Sequence, residues 1–63
     1  MTLGFFAKLL VPEVQISIYK KTKCLAVINA GDVGTSDYAQ KEVHDWMMSP
    51  FGAYAKVEIK EAN

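Results

Sequence analysis

The chain has 63 residues, of which 51% are hydrophobic and 22% charged, and its seven lysines balance seven acidic residues without a single arginine. This composition is typical of a globular chain and not of a disordered one. The zero net charge excludes a global field that would draw the protein to nucleic acid or to an anionic membrane. The length predicts one small α/β domain over residues 1–63, and a domain of that size buries only about 60% of the surface of its unfolded chain.

Such a domain is marginally stable and usually needs a supplement to its core. The lone Cys24 cannot close an intramolecular disulfide, and the lone His44 cannot build a zinc site by itself. We therefore expect no cofactor and no structural metal. Self-association is the supplement that remains.

Residues 1–12 are interpreted as an N-terminal strand or arm. Helical spacing would place on one face the residues Leu3, Phe6, Ala7 and Leu10. This alternative stays open because the segment is too short and too apolar for periodicity to decide. Pro12 disfavours helical geometry in the residue before it, so the element ends there.

The same segment does not have the pattern of a secretory signal peptide. It has no basic residue ahead of its apolar stretch, it carries Lys8 in its middle, and no small-residue cleavage pattern follows it. No run of the sequence approaches the ~20 apolar residues that cross a membrane. We expect a soluble, cytoplasmic protein with a reduced cysteine and no membrane partner.

Residues 14–30 predict a β-hairpin. The first strand alternates, with Val14, Ile16 and Ile18 on one face and polar residues on the other. A lysine-rich turn follows, and residues 24–30 then form a run that is apolar on both alternating faces. A strand covered on both sides has this pattern, so we interpret the run as the inner strand of the sheet.

Residues 36–49 predict the one helix of the fold. Asp37, with Gln40 three residues later, resembles a capping box at the helix start, and Pro50 follows its end. The apolar residues recur at helical spacing and form a stripe that must pack on a sheet face. The residues of this stripe are Ala39, Val43, Trp46 and Met47.

Residues 53–61 predict the C-terminal strand, in which Ala55, Val57 and Ile59 face inward and lysines face outward. The predicted fold class is α+β, a small antiparallel or mixed sheet of three to four strands with one amphipathic helix packed on one face. The elements follow the order strand or arm, strand, strand, helix, strand.

This arrangement predicts a homodimer or a higher homo-oligomer. One helix covers only one face of the sheet, so the second apolar face of the run at residues 24–30 needs another cover. The N-terminal segment folding underneath and a second copy of the chain are the two candidates, and a swapped N-terminal arm would combine them. The large apolar residues expected at a protein interface are Phe5, Phe6, Leu9, Leu25, Val27, Met48, Phe51 and Tyr54.

No motif in the sequence indicates catalysis. Cys24 and His44 lie in no nucleophile signature, and we interpret them as a small buried residue and a surface histidine on the helix. The loop at residues 31–36 lacks the spacing and the lysine of a phosphate loop. The acidic residues around the predicted helix lack the spacing of a calcium loop. We expect no enzyme activity.

The basic cluster at the hairpin turn consists of Tyr19, Lys20, Lys21 and Lys23. An aromatic side chain beside lysines occurs on sheets that hold single-stranded nucleic acid, although so few lysines release few counterions. The sequence therefore favours a non-enzymatic protein-interaction module, a small accessory protein of adaptor or inhibitor type with an unidentified protein partner. A small nucleic-acid-binding protein that uses this turn is the alternative.

Overall fold

The computed structural model of the chain describes residues 1–60. These residues form, in chain order, α1 (Leu3–Lys8), β1 (Gln15–Lys20), β2 (Lys23–Asn29), α2 (Ala30–Val33), β3 (Val43–Met48) and β4 (Tyr54–Ile59). Glu61, the last residue of the predicted C-terminal strand, lies outside the described residues.

Within residues 1–60 the strands form one mixed four-stranded sheet in the order β2-β1-β4-β3. β1 and β2 are an antiparallel hairpin, as predicted for residues 14–30, and β3 and β4 are a second antiparallel hairpin. The two hairpins join through parallel pairing of β1 with β4. The fold is therefore a small mixed sheet with two short helices, in which β1 and β4 are central and β2 and β3 are the edges.

The hydrophobic core lies between one face of this sheet and the two helices. The alternation predicted for the central strands is observed, because their inward side chains are buried while the residues between them are not. The buried apolar residues are Ile16, Ile18, Ala55, Val57 and Ile59 from the central strands, Leu3, Phe6 and Ala7 from α1, Ala30 and Val33 from α2, and Val14.

The predicted helix at residues 36–49 is wrong. Residues 43–48 form β3, and turns precede them. Trp46 and Met48 pair with buried residues of β4 and so lie on the core face, while Met47 between them faces the other way. The apolar residues thus lie on both faces of a strand. A short apolar run cannot be assigned to helix or strand by periodicity alone. Its aromatic and β-branched residues also favour a strand.

The predicted helix start at Asp37 is wrong for the same reason. The backbone N–H of Tyr38 donates to Ser36 Oγ at 3.2 Å, and the Ser36 hydroxyl donates to the Val33 carbonyl at 2.7 Å. Ser36 therefore closes the turn that follows α2. α2 itself is a helix of about one turn, and it occupies the first part of the loop predicted at residues 31–36.

The interpretation of residues 24–30 as an inner strand is wrong. They form most of β2, which lies at the edge of the sheet, and Ala30 already belongs to α2. Ala26 and Ile28 pair with buried residues of β1 and contribute to the core, and a bulge next to Tyr19 lets Leu25 pack against the core as well. The bulge thus accounts for the apolar Leu25, while Val27 lies exposed on the other sheet face, so the two faces of the run are not both covered.

Residues 3–8 are helical, so the predicted N-terminal strand is wrong and the helical alternative is correct for this part. Thr2 is the N-cap, since its Oγ1 accepts the Phe5 N–H at 3.2 Å, and Leu3 and Phe6 are buried on one face. Thr2 also forms an antiparallel bridge with Glu42. Across the described residues no helix is long and apolar enough to cross a membrane.

Candidate interaction surface

The outer edge of β2 is a row of backbone groups without a neighbouring strand in the described part of the chain. The Ala30 N–H donates to the Val14 carbonyl at 2.8 Å. This bond sets the hydrogen-bonding phase of β2, that is, which of its residues bond to β1 and which bond outward. In an antiparallel ladder, alternate residues bond to the neighbour and the residues between them bond outward. Ala26 and Ile28 therefore bond to β1, and Val27 and Asn29 present their N–H and C=O groups outward.

The side chains of β2 do not protect this edge. Residues 24–31 contain no charged residue, and the Val27 side chain is 55% exposed. Cys24 is exposed, so its predicted burial is wrong. Natural proteins blunt an edge strand with charges, proline or a covering segment. β2 carries two devices of this kind, both at its first residues: the exposed Lys23 and the bulge near Cys24.

The outer edge of β3, by contrast, is protected by the chain itself. The Val43 N–H donates to the Met1 carbonyl at 2.8 Å, and the Leu3 N–H donates to the Lys41 carbonyl at 2.7 Å. The terminal amino group lies 3.6 Å from a Glu42 carboxylate oxygen. Residues 1–3 thus pair with the beginning of this edge.

Asp45 protects the next part of β3. Its Oδ1 accepts the Trp46 N–H at 2.8 Å, and a bulge lies between Val43 and Asp45. A backbone donor held by a carboxylate is unavailable to an incoming strand. The negative charge and the bulge also disfavour pairing here.

The sheet face opposite the helices is covered by no element of residues 1–60. Met47, Tyr54 and Val27 are exposed on it. In its centre the Lys56 ammonium lies 4.5 Å from the centroid of the Tyr19 ring, a cation–π contact. A sheet with one solvated face normally mixes polar and apolar residues in this way.

The residues predicted for an interface do not form one patch. Phe6 is in the core, 3% exposed, with its ring centroid 5.4 Å from that of Trp46, and Leu25 and Met48 are partly buried against the core. Phe5 and Leu9 are exposed on the helical side of the molecule. The remaining three lie elsewhere: Val27 and Tyr54 on the open sheet face, and Phe51 at the β3–β4 hairpin tip.

Phe51 is the most exposed large apolar residue among the described positions, at 95%. The hairpin tip that carries it is closed by hydrogen bonds, since Ser49 Oγ accepts the Ala53 N–H at 3.0 Å and the Tyr54 N–H at 3.3 Å. Gly52 has a φ of 68°, which glycine adopts without steric cost. This tip is a second exposed apolar feature, separate from the β2 edge.

Cys24 and His44, considered above as a nucleophile and a base, lie on opposite edges of the sheet. Cys24 is in β2 and His44 is in β3, with both central strands between them. His44 is exposed, as predicted, but on a strand and not on a helix. Within residues 1–60 no group of three or more histidine, cysteine, aspartate or glutamate side chains is arranged to hold a metal ion.

The predicted basic cluster lies at one end of the central sheet. Tyr19 and Lys20 end β1, Lys21 is in the turn, and Lys23 begins β2. The structure adds Lys56 to this cluster through its contact with the Tyr19 ring, which no local sequence pattern indicated. It also brings in a negative charge, because Glu58 is the β4 residue in register with Tyr19.

A groove of about 470 Å³ lies between α1 and α2 on the helical side. Gly4, Gly31, Gly34 and Ala39 line its floor and walls, and Lys8 is the titratable side chain among its described lining residues. The Gly31 N–H donates to the Pro12 carbonyl at 3.1 Å, and a Cβ at Gly31 would lie 3.0 Å from Pro12 Cβ. The groove therefore depends on close backbone packing between α2 and the segment that follows α1.

Comparisons of the chain with protein-family models, with curated proteins and with solved structures found no match. The candidate site is therefore described by its own geometry. Sequence reasoning missed the β2 edge because it interpreted the same residues as an inner strand. The signal that points to the edge is the uncharged run at residues 24–31.

Proposed function

We propose that the protein is a non-enzymatic protein-interaction module, of adaptor or inhibitor type, that self-associates by strand pairing at β2. The observation that carries the proposal is the contrast within one sheet, in which β3 is protected and β2 is not. An unprotected edge strand offers backbone donors and acceptors to another strand, and addition of a strand to such an edge is a common mode of protein recognition.

Strand pairing at this edge would add backbone hydrogen bonds to a domain of marginal stability. A chain of this length has a total stability of roughly 3–9 kcal/mol. Each added backbone hydrogen bond contributes about 0.5–1.5 kcal/mol net, and the cost of association is subtracted once from the sum. Pairing along Lys23–Asn29 adds several such bonds to a marginal domain.

Lysine substitutions on the sheet face opposite the helices test this proposal. Val27→Lys places a charged side chain against the partner strand when two β2 strands pair, and we expect the dissociation constant of the dimer to rise about 5- to 30-fold. Sedimentation velocity and light scattering over the micromolar range measure the change. Circular dichroism checks that the variant is folded.

Met47→Lys is the matched control. Met47 is exposed on the same sheet face as Val27, but it lies on β3 and not on β2. We expect Met47→Lys to associate like the unmodified chain. A chain that stays monomeric at all concentrations contradicts the proposal, and so do equal effects of the two lysine substitutions.

Nucleic-acid binding is the second candidate function. The observation that favours it is the position of Lys56 over the Tyr19 ring, next to the lysines of the β1–β2 turn. Neutralising Lys20, Lys21 and Lys23 with glutamine should abolish salt-sensitive retention of a single-stranded oligonucleotide. Neutralising Lys8 and Lys41, which lie outside this cluster, is the control. The absence of retention by the unmodified protein at low salt would eliminate this candidate.

A further inference from the structure

We infer that two copies of the chain pair through antiparallel β2 strands about a two-fold axis at Val27, which joins the two four-stranded sheets into one continuous sheet. This inference rests on the proposed function and specifies its partner, register and symmetry. The occupant of the free edge is therefore a second copy of this chain.

The hydrogen-bonding phase of β2 permits this axis. Val27 presents its N–H and C=O outward, so a Val27 residue of each copy can exchange both bonds with the other across the axis. Asn29 also bonds outward, and in this register it lies opposite Leu25 of the second copy. The same surface is used on both copies, as a two-fold interface requires.

The side chains of this register continue the two faces of the sheet. Ala26 lies opposite Ile28 of the second copy, and both residues are on the core face of their own sheet. A small residue thus faces a large one twice, without steric conflict. On the open face the two Val27 side chains adjoin each other, which removes part of their exposed apolar surface from water.

The charges at the ends of the paired segment are complementary. Lys23 is the first charged residue before the uncharged run and Asp32 is the first after it, and both are exposed. Antiparallel pairing centred on Val27 ends where Leu25 lies opposite Asn29 of the other copy, because α2 begins at Ala30, and this places Lys23 of one copy and Asp32 of the other at the same end of the paired segment. The interface therefore has a lysine and an aspartate at both of its ends.

A register centred on Ala26 is the nearest rival. It sets Lys23 opposite Asn29 of the second copy, so that the lysine is two residues further along the chain from Asp32 than in the Val27 register. It also uses the bulged end of β2, where the regular ladder with β1 is interrupted. The phase permits both registers, and the bulge and the end charges favour the axis at Val27.

Disulfide trapping tests the axis directly. In a Cys24→Ser background, Val27→Cys puts one thiol of each copy at the axis, where the Cα atoms of a hydrogen-bonded antiparallel pair lie about 5.5 Å apart, within the range of a disulfide. We expect rapid formation of a covalent dimer on mild oxidation, detected by non-reducing electrophoresis and intact mass. Met47→Cys in the same background is the control, because Met47 is exposed to a similar degree but lies on β3, distant from the axis.

The outcomes separate this inference from the proposed function. A dimer in solution that Val27→Cys traps no faster than Met47→Cys overturns the axis but leaves self-association intact. Faster trapping by Ala26→Cys assigns the rival register instead. An unmodified chain that is monomeric overturns both the proposed function and the inference.

A charge exchange tests the end contacts. Lys23→Glu should raise the dissociation constant of the dimer about 3- to 10-fold, since it places two carboxylates together at both ends of the interface. Lys23→Glu combined with Asp32→Lys should restore the unmodified value. Failure of the double variant to recover association overturns the predicted contact between the two residues.

Discussion

The two edges of the sheet differ in how the chain treats them. At β3, residues 1–3 pair with the beginning of the strand and Asp45 holds the Trp46 N–H. At β2, residues 24–31 are uncharged and the outward backbone groups have no neighbouring strand within residues 1–60. The contrast shows that protection of a small sheet can be placed on one side. An unprotected side is then available for pairing with another chain.

The largest effect is expected from a substitution that removes core packing beneath β3, the protected edge. Phe6 packs in the core and its ring contacts Trp46 of β3. Phe6→Ala should lower the free energy of unfolding by about 3–5 kcal/mol, because it leaves a cavity under α1. Urea denaturation followed by circular dichroism measures this loss.

Phe5→Ala is the matched control for that substitution. Phe5 is the neighbouring residue on α1 and is exposed, so its truncation should change stability by no more than about 0.5 kcal/mol. Similar losses in both variants would contradict the assignment of Phe6 to the core.

Proline at the unprotected edge should separate association from folding. Val27→Pro removes an outward N–H, which the ladder with β1 does not use, so the fold should persist while two intermolecular hydrogen bonds are lost. We expect the dissociation constant to rise roughly 5- to 150-fold, from about 1–3 kcal/mol for the two bonds. Sedimentation equilibrium measures it. Ile28→Pro removes an N–H that bonds to β1 and should instead reduce the stability of the monomer. If Val27→Pro destabilised the monomer and Ile28→Pro weakened only the dimer, the assignment of inward and outward residues in β2 would be wrong.

The cap of α1 should have a smaller effect on the protected edge. Thr2 Oγ1 accepts the Phe5 N–H, and Thr2 also bridges to Glu42. Thr2→Ala should cost about 1 kcal/mol of stability, measured by thermal unfolding. Thr22→Ala, at an exposed position in the β1–β2 turn, should cost less. Equal costs would mean that the cap does not stabilise α1.

An effect comparable in size to that of the α1 cap should come from exposing the second edge. Asp45→Ala frees the Trp46 N–H and removes a negative charge from β3. We expect a shift of about 0.5–1.5 kcal/mol toward assemblies larger than a dimer, since two edges can then pair. Light scattering at increasing concentration detects such species. Asp45→Asn, which keeps an acceptor oxygen, should behave more like the unmodified chain.

The sequence predicted the parts of the fold that depend on local alternation. The β1–β2 hairpin and β4 were identified because Ile16, Ile18 and Val57 recur with a period of two beside polar residues. The assignment failed where a run was apolar on both sides, at residues 24–30 and at β3. In such a run the period does not distinguish an edge strand with a bulge, a covered strand and a helix.

The candidate site was less predictable than the fold. Whether a strand is central or at an edge depends on long-range pairing. The residues of β1 and β4 carry no local pattern that indicates their parallel contact. The predicted interface residues were chosen by size and hydrophobicity. A selection by these two properties takes in Phe6, which is buried, together with Val27 and Phe51, which are exposed on different surfaces.

The central parallel pairing has a consequence for the order of folding. Both hairpins are closed by short turns and can form early, whereas the contact of residues 15–19 with residues 54–58 closes most of the chain into one loop. We expect this contact to form last and to limit the folding rate. During synthesis on the ribosome, β1 keeps its second edge unpaired until β4 has emerged, so the nascent chain passes through a stage in which both sides of its first hairpin are open to aggregation.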